Sequence, residues 1–258
     1  MLGLLSLFIT LLPVQALPAS SQKMLPPYFV LAGDSTTATQ SSNGGGWGDG
    51  FLNTTLFKGA SGHNYGHNGA TTVSFRAGGD WDKVLATVKN VSHEHHPFVT
   101  IQFGHNDQKA AANISLAQYT ENLQRFVTET VDAGATPILV TPLSRRNYET
   151  SSGEPSIIQD LANQTAATIT AAHNTGASFI DLNRASTQYL NAIGPTGAYT
   201  YNLISTDHTH LNVEGSIVFG GVVAQLIQRD FPALQAHSFV RVNETLKEDV
   251  ARGIYYWP

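Results

Sequence analysis

The strongest constraint on this chain is an alternation of two hydrophobic periods. Short, nearly continuous apolar runs recur between longer segments whose apolar residues stand three and four apart. The runs are Tyr28–Leu31, Phe98–Phe103, Ile138–Thr141 and Ser178–Leu182, with a fainter one around Tyr65. Runs this short, without polar alternation, fit strands buried on both faces, as in a parallel sheet. Ser115-Leu116-Ala117-Gln118 has the form of a capping box. Leu116, Tyr119, Leu123, Phe126 and Val127 then share one helical face, with Gly134 as the stop. Ile158, Leu161, Ala162, Thr165 and Ile169 mark a second helical stripe, and Ser216–Ile227 is apolar nearly all round, as a buried helix would be. Strands and helices alternating through short links predict an α/β fold with a mostly parallel sheet and right-handed crossovers. Gly44-Gly45-Gly46 reads as a flexible loop, and the segment after Phe231 has no clear place in the pattern.

Composition narrows the function. The chain has 258 residues, 41% of them hydrophobic, enough for one sizeable core. Charged residues make up only 13%, and the formal charge is −5 with no cluster of Lys or Arg. That excludes the cationic surface a nucleic-acid binder needs. The absence of cysteine excludes disulfides, thiol nucleophiles and Cys-based zinc sites. At the N-terminus, the apolar stretch Leu2–Leu12 is too short to span a bilayer. With small residues around Val14-Gln15-Ala16, it predicts a signal peptide over residues 1–16, followed by a single domain over 17–258. Five sequons agree with export: Asn53, Asn90, Asn113, Asn163 and Asn243. The expectation is a secreted, extracellular monomer without a membrane partner.

In open parallel sheets, functional groups gather beyond the C-terminal ends of the strands. Three polar blocks fall there: Gly33-Asp34-Ser35-Thr36, Asn68-Gly69 and Gly104-His105-Asn106-Asp107. A fourth, Asp207-His208-Thr209-His210, precedes the last helix in a segment that could fold back to the same edge. A serine hydroxyl becomes a useful nucleophile only with a base in hydrogen-bond reach. Ser35 with His210, and Asp207 to orient the imidazole, would meet the logic of a serine triad. His208 directly follows the aspartate, and its side chain is expected to point elsewhere. Each block also has a purely structural reading. Ser35 suits the N-cap of a first helix, Asn68-Gly69 a hairpin turn, and the Asp-His-Thr-His segment a polar turn. No GxSxG elbow is present, which argues against the α/β-hydrolase topology.

Taken in order, AGDST at Ala32–Thr36, GWGDGF at Gly46–Phe51, FGHND at Phe103–Asp107 and DHTHLNVEG at Asp207–Gly215 resemble the SGNH (GDSL-type) hydrolase superfamily. Within it they look most like the fungal rhamnogalacturonan acetylesterases. The resemblance implies a three-layer α/β/α sandwich of flavodoxin-like form. It also implies a serine esterase that removes acetyl groups from a plant cell-wall polysaccharide, rhamnogalacturonan (pectin) first, by two-step acyl transfer. It assigns Ser35, Asp207 and His210 as catalytic, and the amides of Ser35 and Gly69 with the Asn106 side chain as the oxyanion hole. The glycine block departs from the family, reading Gly69-Ala70-Thr71 where Arg and Ser often stand.

No cofactor is implied, and no metal. His93-Glu94-His95-His96 lacks HExxH spacing, since the second histidine would fall on Pro97, and it reads as a solvated loop. An anionic galacturonate backbone calls for a cation near the site. Arg145-Arg146 is the candidate pair, with a solvated loop as its other reading. Three alternatives stay open: an acetylesterase on xylan, a short-acyl esterase, and a non-catalytic carbohydrate-binding protein on the same fold. The last draws support from Trp47 and Trp81, read as exposed stacking surfaces.

Overall fold

A computed structural model describes residues 24–151 and 153–258; the expected signal segment lies outside them. The elements run β1 (Pro27–Gly33), α1 (Gly48–Thr55), β2 (Ser61–Asn64), α2 (Thr72–Ala77), α3 (Asp80–Val91), β3 (His96–Gln102), α4 (Leu116–Asp132) and β4 (Thr136–Val140). A two-residue pair, β5 (Tyr148–Glu149) and β6 (Ser156–Ile157), precedes α5 (Ala162–Thr175) and β7 (Ser178–Ile180). Then come α6 (Leu182–Tyr199), α7 (Val213–Asp230), α8 (Pro232–Ala236) and α9 (Glu244–Arg252).

Five strands form one sheet in the order β2-β1-β3-β4-β7, and every pairing in it is parallel. Because strand side chains alternate, the central strands feed two cores. Phe29 and Leu31 of β1 face one cluster, which is filled by Phe51 of α1, Tyr189 of α6, and Val218, Phe219 and Val222 of α7. Val30 and Ala32 face the other, filled by Trp81 and Val84 of α3 and by Tyr119, Leu123 and Phe126 of α4. Helix, sheet and helix therefore form three layers. The apolar runs lack polar alternation because both faces of the sheet are covered.

Local chemistry sets the boundaries. Leu182, read as the end of a strand, instead starts α6, because the Asp181 side chain caps that helix by accepting from the Arg184 N–H at 3.1 Å. Ile158 lies outside α5 and is exposed. Ser115 caps α4 by accepting from Gln118 N–H, without a return bond from the glutamine, whereas Thr71 and Ser74 form a complete box on α2. The tail after Phe231 returns to the end of α1, with Arg241 N–H donating to Thr55 O and Phe57 N–H to Phe239 O.

The glycine run is not a flexible loop. Gly44, Gly45 and Gly46 are buried, and a Cβ on Gly46 would lie 1.9 Å from the Thr36 carbonyl oxygen. Only residues without a Cβ allow the backbone to pass so close to the turn that carries Ser35. On its other side, Gly45 O accepts from Leu211 N–H at 2.8 Å. The run thus joins the Ser35 turn to the His210 segment.

Candidate active site

Three of the polar blocks emerge at the C-terminal edge of the sheet, and the fourth, Asp207–His210, reaches the same edge from the connection between α6 and α7. After β1 the chain turns at Asp34, whose Oδ1 accepts from both the N–H and the hydroxyl of Thr36 at 2.8 Å, while its carbonyl receives Thr37 and Ala38 N–H. Asp34, not Ser35, is the residue that caps this turn, and no helix begins there, since α1 starts only at Gly48. Ser35 is left with its hydroxyl free for other work.

That hydroxyl lies 2.8 Å from His210 Nε2, and His210 Nδ1 lies 2.7 Å from Asp207 Oδ2. The other carboxylate oxygen of Asp207 accepts the backbone N–H groups of Thr209 and His210, both at 2.9 Å. Burial alone would raise the Asp207 pKa. The hydrogen bonds from the His210 backbone and ring and from Thr209 outweigh it and hold the carboxyl below its usual range. An ionised Asp207 accepts Nδ1–H and leaves Nε2 as the basic nitrogen facing Ser35. His208 points away, bonding Asn147 Oδ1 at 3.1 Å and stacking on Tyr199 with ring centroids 4.6 Å apart.

Across the edge, Asn106 Nδ2 donates to the Ala70 carbonyl at 2.9 Å, which ties the asparagine block to the residue after Gly69. Gly69 takes φ +78°, a left-handed conformation suited to glycine. The backbone N–H groups of Ser35 and Gly69 donate to no protein acceptor among the described residues. A pocket of about 210 Å³ lined by His67, Gly69, Ala70, Phe75 and Asp80 opens beside this loop.

Behind the serine, Trp47 Nε1–H donates to Gln102 Oε1 at 2.6 Å, and Gln102 Nε2–H donates to the Thr36 hydroxyl. Trp47 and Trp81 are both fully buried, so neither is a sugar-stacking surface; Trp81 Nε1–H is spent on Glu129 at 2.6 Å. Asp34 and His105 are buried side by side, with 3.6 Å between Oδ2 and Nδ1. Burial would raise the Asp34 pKa, but the His105 side chain and the Thr36 bonds lower it. For buried Asp107 the balance reverses: burial raises its pKa, the Asp34 charge adds to that, and the bonds from Thr72 only partly offset it.

The two arginines do not form an open cationic patch. Arg146 is completely buried, donating Nε–H to Asn202 Oδ1 at 2.5 Å and Nη2–H to the His210 carbonyl at 2.6 Å. A side chain without exposed surface cannot meet a polysaccharide. Arg145 is ion-paired with Asp160 at 3.0 Å, and it also reaches Thr209 Oγ1 at 3.3 Å and the His105 carbonyl at 3.4 Å. Its guanidinium braces the asparagine block against the histidine block. Within His93-Glu94-His95-His96, the last two histidines go to different partners: His95 packs edge-on against Tyr28 and His96 bonds Thr136. Sequence reasoning missed Arg146, Gln102 and Thr36 as supports of the site, because nothing local marks a residue whose partners are distant in sequence.

A fully parallel sheet between two helical layers, with the serine and histidine blocks at one edge, is consistent with the SGNH class of ester hydrolases. The chain belongs to the GDSL-like lipase/acylhydrolase family, whose sequence pattern matches residues 31–216. It is 29% identical over 213 residues to a Bacillus subtilis protein named as a probable rhamnogalacturonan acetylesterase, covering 78% of this chain and 92% of that one. A second B. subtilis protein, named rhamnogalacturonan acetylesterase, is 31% identical over 128 residues; the match covers 48% of this chain and 52% of that one. Among solved structures, an acetylxylan esterase from Geobacillus stearothermophilus superposes with a TM-score of 0.55 at 18% identity, covering 80% of this chain and 93% of that one. A B. subtilis protein of solved structure superposes with a TM-score of 0.69 at 23% identity; this chain spans 59% of that protein's length and is itself covered over 82%. At these identities the structural likeness speaks for the fold.

Proposed function

We propose that this protein is a serine acetylesterase that removes acetyl groups from a plant cell-wall polysaccharide, with acetylated rhamnogalacturonan as the substrate. The observation that carries the chemistry is the line Ser35 Oγ, His210 Nε2, His210 Nδ1, Asp207 Oδ2, with contacts of 2.8 and 2.7 Å. The sequence relatives named above support the choice of polysaccharide.

In this reading Ser35 Oγ attacks the acetyl carbonyl carbon while its proton passes to His210 Nε2. The carbonyl oxygen becomes negative and is received by the N–H groups of Ser35 and Gly69 and by Asn106 Nδ2–H. Collapse breaks the bond to the sugar oxygen, which leaves with the proton from His210. Water then attacks the acetyl-serine, giving its proton to His210, and acetate departs as the proton returns to Ser35. Export fits the apolar stretch Leu2–Leu12 and the five sequon asparagines, all of which are exposed.

The test is acetate release from acetylated rhamnogalacturonan and acetylated xylan by the wild type and Ser35→Ala. Release from the pectic polymer alone, abolished by the substitution, supports the whole proposal. Equal release from both polymers would keep the serine chemistry and remove the pectin assignment. Release by Ser35→Ala would remove the serine mechanism.

A further inference from the structure

The Asn106 carboxamide is gripped at both ends. Its Nδ2 donates to the Ala70 carbonyl at 2.9 Å, and its Oδ1 accepts from Lys109 Nζ at 2.7 Å. A carbonyl can only accept and an ammonium can only donate, so the amide has one possible orientation. One Nδ2 hydrogen is used by Ala70, which leaves the second to meet a developing oxyanion. Lys109 itself is exposed, and no carboxylate lies within ion-pair distance of its ammonium among the described residues. Its backbone N–H donates to Asn106 O at 3.1 Å, closing a turn that brings the lysine back over the asparagine.

We infer that Lys109 is a positioning residue for ester hydrolysis: its ammonium locks and polarises the Asn106 amide so that Nδ2–H is aimed at the oxyanion. This rests on the reading of Asn106 as an oxyanion donor. A cation hydrogen-bonded to the amide oxygen draws electron density from the nitrogen and strengthens the dipole of the remaining N–H. The gain is greatest when the substrate oxygen is fully negative, so it falls on the transition state and hence on kcat. The fixed orientation also spares the reaction the cost of turning the amide. Lys109 needs no contact with the ester to do this.

The experiment is a double-mutant cycle on p-nitrophenyl acetate, which carries no carboxylate for a lysine to recognise. Asn106→Ala should lower kcat about 100-fold, in the range of a lost oxyanion donor. Lys109→Met should lower kcat about tenfold with KM unchanged, and Lys109→Arg should recover most of it. In the Asn106→Ala background, Lys109→Met should do nothing further, because the lysine acts through the asparagine. As a surface substitution it should leave the melting temperature within about 2 °C of wild type. Losses that multiply in the double variant, or an unchanged kcat for Lys109→Met, would overturn the inference. So would an effect confined to KM on acetylated rhamnogalacturonan, which would make Lys109 a binder of uronate carboxylates. If Asn106→Ala alone leaves kcat intact, the oxyanion reading of Asn106 fails first and the role of Lys109 falls with it.

Discussion

Arg146 donates Nη2–H to the carbonyl oxygen of His210 at 2.6 Å, across 64 residues of sequence. The same residue accepts nothing and receives no carboxylate contact; burial pushes its pKa down to about 10, against the pull of the Asp207 charge. It remains a cation at neutral pH, spent on holding the main chain of the histidine segment. Arg146→Met leaves Asn202 Oδ1 and the His210 carbonyl without their donor. We expect a loss of about 2 kcal/mol in urea unfolding and a fall in kcat, with no rise in KM for an acidic polymer. A rise in KM alone would point back to substrate binding.

Ser35→Ala should reduce kcat by at least about 10³-fold on any acetyl ester, leaving substrate affinity by calorimetry near wild type. Asp207→Asn should cost about as much for a different reason. An asparagine that offers N–H to His210 Nδ1 favours the wrong tautomer, with the proton on Nε2 where the base must be free. Nitrogen-15 NMR of the imidazole reads that tautomer directly.

Trp47→Phe keeps most of the apolar volume and removes one donor. Gln102 Oε1, now buried without a partner, should cost about 1–3 kcal/mol. Because Gln102 also holds the Thr36 hydroxyl, the Ser35 turn loosens as well. Equilibrium unfolding gives the first effect and kcat the second. A substitution equal to wild type in both would show that the buried chain carries no weight.

Asp34 and Asp107 impose opposite pH dependences on stability. The Asp34 carboxyl is lowered in the fold, so its contribution is present above the ordinary carboxylate pKa of about 3.9 and disappears as pH falls through the folded value. The Asp107 carboxyl is raised, so its contribution is present below about 3.9 and is lost as pH rises through the folded value. Asp107→Asn should therefore gain stability relative to wild type between pH about 4 and neutrality, since the amide can still accept from Thr72 through its oxygen. Unfolding midpoints across that range are the check, and a difference that does not change with pH would refute it.

Much of the architecture was legible in the chain because its signals are local. The strand runs at Tyr28, Phe98, Ile138 and Ser178 need only two-sided burial to be recognised, and each became part of the parallel sheet. The strand near Tyr65 was faint because β2, at the edge of the sheet, carries Ser61, Gly62, His63 and Asn64 rather than an apolar run. The tail after Phe231 was unreadable because its place depends on bonds to Thr55 and Phe57, far earlier in the chain.

By itself, the sequence determined the alternating α/β order and the position of three polar blocks at strand ends, since both follow from hydrophobic period and turn chemistry over a few residues. The Asp207–His210 block, between α6 and α7, reaches that edge only through the fold. Only the tertiary structure decided which polar side chains point at one another. Ser35 and His210 are 175 residues apart, and their 2.8 Å contact depends on three glycines packed between two turns. The same packing buried Arg146, Trp47 and Trp81, which read as surface residues one at a time. Burial belongs to the sum of neighbours a residue acquires on folding, and those neighbours come from distant parts of the chain.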